Sequence, residues 1–226
     1  MLDWIGLAAG FLFIFAVIGV AQSLWRLGLV ASTVSRKIIH IGVSNWWLIA
    51  MYFHDTAVFA SVGPVVFIGL NYYSHRTRLF AAMEDEAART NLGTVYFPIS
   101  LLVLVLLSFG GPMPVYVAGI GILALGYGDG LASLLGRWLG TRQFPVLGGY
   151  KSLVGTLTMF GASAVVAGLF TYLAHPAYGG TTIAALLVPA LLTAAAATIV
   201  EFLTPYGLDN LSVPIVTALF YQGVFV

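Results

Sequence analysis

The sequence predicts an all-α fold: a polytopic transmembrane helical bundle of about eight spans with both termini outside. A single integral membrane domain is expected over residues 1–226. Three observations carry this reading. Hydrophobic residues make up 60% of the chain and charged residues only 8%, whereas a soluble domain carries about 25% charged residues. Apolar runs of near-bilayer length recur from end to end, with a mean hydropathy of +1.00. All 9 Lys and Arg fall in alternate connections between those runs.

A helix rises about 1.5 Å per residue, so one crossing needs roughly 20 apolar residues. Such runs occur at 4–25, 38–53, 56–73, 92–110, 114–135, 153–174, 182–203 and 212–226. The first has no basic region before it and no cleavage-like site after it, so it reads as a retained span rather than a signal peptide. The second and the last are short. His54 and Asp55 alone join the second to the third. The longest polar connection, 74–91, holds Glu84, Asp85, Glu86 and Arg89, which suit a short surface helix. The chain has no cysteine, which excludes disulfides and thiolate metal sites. No basic stripe interleaves with aromatics, so nucleic acid is not an expected partner. Trp4, Trp25, Trp46 and Trp47 read as interfacial belt or core.

The cations set an expected orientation. Arg26, Arg36 and Lys37 lie between spans one and two, Arg76, Arg78 and Arg89 between three and four, and Arg137, Arg142 and Lys151 between five and six. Lys and Arg are retained on the cytoplasmic side of a membrane. These connections are therefore expected to face the cytoplasm, from the cytoplasmic membrane. The connection 204–211 falls on the same side and carries Asp209 and Asn210 without a cation.

Five motifs gather at those cytoplasmic ends. Arg36 and His40 open span two and share a helix face. They read either as a positive-inside anchor with an interfacial His or as a cationic clamp for a polyphosphate. Asn91-Leu92-Gly93-Thr94 opens span four, where a helix N-terminus offers free N–H groups and a positive dipole end to phosphate. Asp129 sits inside an apolar run between Gly128 and Gly130. A carboxylate at that depth is costly and marks a functional site by default, the alternative being a structural pair with an Arg of another span. Lys151-Ser152 and Gly155-Thr156 open span six. A P-loop is rejected, because Tyr150 stands where a Gly must precede the Lys and no strand is expected before it. Glu201 ends span seven, and Pro205 and Gly207 turn the chain so that Asp209 returns to the same depth. Acidic oxygens with few nearby cations suit a hard divalent ion, most simply Mg²⁺ shared with phosphates. Helix capping by Asp209 and pairing of Glu201 with a cation are the plainer alternatives.

At these residues the chain resembles the polyprenol kinase family, which includes dolichol kinases, phytol kinases and a CTP-dependent diacylglycerol kinase. The matching elements are Arg36-Lys37-x-x-His40, Asn91-Leu-Gly-Thr94, Gly128-Asp129-Gly130-x-Ala132-x-x-x-Gly136-Arg137, Lys151-Ser152-x-x-Gly155-Thr156 and Glu201-x(7)-Asp209-Asn210, in order over about residues 35–214. The resemblance implies transfer of the γ-phosphoryl group of a nucleoside triphosphate, usually CTP, to a lipid hydroxyl such as that of phytol, farnesol or a polyprenol. The chain is also distantly similar to phosphatidate cytidylyltransferases, but of their fuller C-terminal acidic signature only Asp209-Asn210 stands here.

On the kinase reading, Asp129 and Asp209 hold Mg²⁺ on the phosphates. Arg36, Lys37 and Lys151 bind the polyphosphate, along with Asn91, Gly93, Thr94, Gly128, Gly130, Arg137, Ser152, Gly155, Thr156 and Asn210. Glu201 or Asp129 orients or deprotonates the attacking hydroxyl, with His40 a further candidate. The lipid enters sideways between spans, and a homodimer is left open. The rivals are a cytidylyltransferase making a CDP-lipid and a transporter using Asp129 and Glu201 as coupling carboxylates. Transporter sites lie near the midplane, whereas these groups crowd one end.

Overall fold

A computed structural model describes residues 1–77, 92–147, 149–175 and 182–226. The expected surface helix around 84–89 lies outside the described residues, as do Arg78, Asn91 and Gly148. The elements in order are α1 (Leu2–Arg26), α2 (Ser32–Ser44), α3 (Trp46–Phe53), α4 (Ala57–Thr77), α5 (Gly93–Ser108), α6 (Val115–Leu123), a π-helical turn (Ala124–Asp129), α7 (Gly130–Leu139), strands β1 (Gln143–Val146) and β2 (Gly149–Ser152), α8 (Leu153–Ala174), α9 (Ile183–Leu203) and α10 (Asp209–Phe225). The architecture is helical throughout, apart from one hairpin. Among the described residues, five rods are long and apolar enough to cross a membrane: α1, α4, the continuous helix 115–139, α8 and α9. The other three expected spans are shorter helices.

The second expected span is two helices separated by Asn45. The Asn45 amide donates to the Ile41 carbonyl (2.8 Å), and its Oδ1 accepts from the Tyr127 hydroxyl (3.0 Å). An Asn side chain that bonds its own preceding turn competes with the helical ladder, and the chain bends there. Tyr127 lies in the π-helical turn, so the break in one element is tied to the irregularity in another.

The helix 115–139 is the axis of the bundle. Of its most apolar stretch 78% is buried, against 17–33% for the other four long rods. The chain can afford this density because its neighbours touch bare backbone. A Cβ at Gly126 would collide with the Ser44 side chain of α2, and one at Gly130 with Ile41. One at Gly128 would lie 2.5 Å from Met159 Sδ and 2.8 Å from Ser163 Oγ of α8. At Gly128 and Gly130, both expected at a phosphate, the missing side chains leave room for α8 and α2. Small residues at crossings are the usual means by which apolar helices approach closely in lipid.

Two local features depart from a reading of apolar runs. Residues 143–152 form an antiparallel hairpin pairing Gln143 with Ser152 and Phe144 with Lys151. Lys151 therefore lies in a strand, contrary to expectation, although Tyr150 still rules out a P-loop. Between α9 and α10, Tyr206 (φ 58°) and Gly207 (φ 79°) are consecutive left-handed residues. They reverse the chain within a few residues and bring Asp209 back beside the end of α9. At the far end of the bundle, Asp3 meets His54 (3.2 Å) and the Phe225 carbonyl meets His175 (3.1 Å).

Gly126→Val places a branched side chain against Ser44 at the centre of this arrangement. Overpacking of a filled core costs about 1–3 kcal/mol. A matching loss of stability, read as a lower detergent melting temperature, is expected, and a variant as stable as the parent would show that α2 does not approach Gly126 this closely.

Candidate active site

Asp129 is the last residue of the π-helical turn and is 8% exposed. It lies about 15 Å of helical rise from the end of α7 at Leu139. The expected rod end at 135 was too short. A π turn carries an extra residue, which rotates everything after it by about 100° about the axis. That rotation aims Asp129 at α2.

Lys37 Nζ meets Asp129 Oδ2 at 2.7 Å, and His40 Nε2 lies 3.4 Å from the same oxygen. Lys37 and His40 are three apart on α2 and so share a face. The His40 ring also bonds the Leu125 backbone and stands 5.6 Å, centroid to centroid, from Phe97. The alternative of a paired Asp is thus partly realised, with a Lys rather than an Arg. A second pair sits alongside: Lys151 Nζ meets Glu201 Oε1 at 2.5 Å and also donates to the Glu201 carbonyl. Lys151 further lies 6.0 Å from the centre of the Phe202 ring. Asp209 Oδ1 accepts from the Asn210 backbone N–H (3.0 Å) and side-chain amide (3.1 Å). Asp129, Glu201 and Asp209 are near enough to repel one another electrostatically.

Two cavities meet at this cluster. The first has a volume of about 300 Å³. Arg36, Lys37, His40, Gly93, Thr94 and Asn210 face it at one end, and its other end is apolar, walled by α1, α3, α4 and α5. The second, about 350 Å³, is polar and faced by Arg137, Gln143, Lys151, Ser152, Gly155, Thr156 and Glu201. Asp129, Ser133 and Asp209 line both. The candidate residues are thereby sorted into two sets, Glu201 fronting only the polar cavity and His40 only the amphipathic one.

Two expected phosphate contacts have local work. Ser152 Oγ caps α8 by accepting from the Gly155 N–H (3.0 Å), and the Thr156 hydroxyl donates to the Ser152 carbonyl (3.2 Å). Asn71 and Ser133 were missed. The Asn71 side chain, 6% exposed, donates to the Thr94 carbonyl (2.7 Å), while its Oδ1 and the Thr94 hydroxyl lack hydrogen-bond partners where they line the first cavity. The available signal was a lone amide within the apolar run of span three, since polar groups at membrane depth are rarely idle.

Against known proteins, this chain is similar to a phytol kinase of Synechocystis sp., with 34% identity over 216 residues, 96% of this chain and 90% of the relative. The chain belongs to the phytol and polyprenol kinase family. No family model and no solved structure matched it. Family membership sits well with the paired cavities, and it sets aside a transporter.

The Lys37–Asp129 pair yields a double-mutant test. Removing one partner of a buried pair strands the other and costs on the order of 3 kcal/mol, while replacing both by apolar groups is often neutral. Lys37→Met and Asp129→Leu are each expected to lower the detergent melting temperature. The double variant should melt closer to the parent and remain inactive. Additive destabilisation would show that the two groups are not coupled.

Proposed function

We propose that this protein transfers the γ-phosphoryl group of a nucleoside triphosphate, CTP on the family pattern, to the hydroxyl of a prenol-type lipid alcohol. The observation that carries this is the shared wall of the two cavities. One is amphipathic and suits a lipid whose polar end points at Asp129. The other is polar, carries Arg137 and Lys151, and suits a nucleotide polyphosphate. Substrates of opposite character would meet where Asp129, Ser133 and Asp209 front both.

In the step itself, a lone pair of the lipid oxygen forms a bond to the γ-phosphorus. The bond from that phosphorus to the bridging oxygen breaks, and the nucleotide leaves as a diphosphate. The hydroxyl proton passes to a base on the acceptor side. Asp129 and His40 both reach that cavity, and Glu201 does not line it. Glu201 instead holds Lys151 in place beside the donor. Lys37 and Arg36 sit where negative charge from the phosphates would arrive, and preorganised cations at such a point are a large part of catalysis.

Mg²⁺ fits the donor set. Mg²⁺ is ordinarily bound by one or two carboxylates plus substrate phosphates. Asp129 and Asp209 offer two carboxylates at the junction, and among the described residues no cluster of three or more His, Asp or Glu forms a ready-made cage. When bound, the ion neutralises charge on the phosphate oxygens. On this reading the catalytic end faces the cytoplasm, where the nucleotide is, and the distribution of Lys and Arg along the sequence supports that orientation.

Two measurements test this. With labelled CTP, a lipid alcohol and Mg²⁺, γ-label is expected in the lipid and α-label is not; lipid carrying the α-label with release of pyrophosphate would assign a cytidylyltransferase instead. For orientation, Leu147 is 72% exposed at the tip of the hairpin, and the chain has no native cysteine. Leu147→Cys should react with a membrane-impermeant thiol reagent in inside-out vesicles only. Labelling on intact cells would reverse the topology.

A further inference from the structure

The apolar end of the first cavity is lined by buried side chains. Ile14 of α1, Trp46 of α3, Phe67 of α4 and Leu101 of α5 line it, and each is no more than 7% exposed. Its depth follows from the helices along it. From Asn71 at the polar end to Gly63 at the apolar end, α4 runs eight residues, about 12 Å.

Gly63 stands out among the buried glycines of the bundle. A side chain at Gly126, Gly128 or Gly130 would collide with a neighbouring helix. A Cβ at Gly63 would instead stand 3.4 Å from Trp46 Cζ2 and 3.7 Å from Cε2, which is ordinary van der Waals contact. Its backbone is right-handed helical, so conformation does not require glycine there, and glycine within a helix weakens it relative to alanine. Neither crowding nor backbone geometry accounts for the residue. What its missing side chain leaves is open volume over the Trp46 ring.

We infer that Gly63 and Trp46 form the floor of the acceptor cavity and set the length of lipid chain this enzyme accepts. The inference rests on reading that cavity as the alcohol site. It narrows the substrate class to single-chain prenols whose tail ends at Trp46. Much longer polyprenols and two-chain lipids overfill a cavity of about 300 Å³. A side chain added at Gly63 raises the floor, and truncation of Trp46 lowers it.

The test measures kcat/KM with γ-labelled CTP for geraniol, farnesol, phytol, undecaprenol and diacylglycerol. One or two methylene groups in an apolar pocket change specificity by about tenfold or more. The parent protein should therefore disfavour undecaprenol and diacylglycerol by at least about tenfold against its best prenol. Gly63→Val should shift the ratio of a shorter to a longer prenol by a similar factor, Gly63→Ala by less in the same direction, and Trp46→Ala the opposite way. Trp46→Ala removes a buried indole, so if it does not fold, the two Gly63 variants decide. Variants that scale every alcohol by one factor, or a parent that takes undecaprenol as well as its best prenol, would overturn the floor while leaving the kinase intact. If no alcohol is labelled at all, the kinase reading fails and the floor with it.

Discussion

The arrangement depends on placing an ionised carboxylate in the most buried rod of an apolar bundle. Charge at that depth is expensive unless it is paired, and Asp129 is paired by Lys37 from α2 at 2.7 Å. That contact requires α2 to reach the axis, which requires Gly126 and Gly130 to present no side chains. It also requires the π-helical turn, which rotates Asp129 toward α2. The break at Asn45, tied to Tyr127, lets the second element change direction after the pair is made. Each irregularity in the middle of the molecule thus serves one electrostatic requirement.

A buried ion pair is a weak source of stability and a better source of specificity. Here the two lysines neutralise two of the three carboxylates at the junction, and Asp209 is held by Asn210 instead. Under the proposed function, phosphates would take over the lysines while the freed carboxylates face the phosphates' counterion. The far end shows the contrast: His54 and His175 are buried in fixed contacts with Asp3 and Phe225.

Much of the site was legible because membrane burial makes polar residues informative. Asp129, Glu201 and Lys151 stand out in apolar surroundings, and the alternation of cations places them at one end. The lengths of the apolar runs also located the long rods to within a few residues. What they could not supply was anything decided by side-chain contact between helices. Asn45 reads as one polar residue in a span until Tyr127 is seen to bond it. That Gly128 and Gly130 admit α8 and α2 to the axis is seen only once the helices are packed. The hairpin at 143–152 carries too few apolar residues to register as anything but a connection.

By itself the sequence determined that the chain is a helical membrane protein, and it pointed to Lys, Arg and the candidate carboxylates sharing one end, because composition and the spacing of Lys and Arg act through the solvent and need no knowledge of the fold. It also determined the family, through motifs whose order along the chain survives without coordinates. The pairing of Lys37 with Asp129 and of Lys151 with Glu201 was decided only by tertiary structure, since each joins residues far apart in sequence and any of several cations could have served. So was the division of the candidate residues into an amphipathic and a polar cavity. A cavity is the volume that packing leaves over, and its walls come from helices whose mutual placement no single segment encodes.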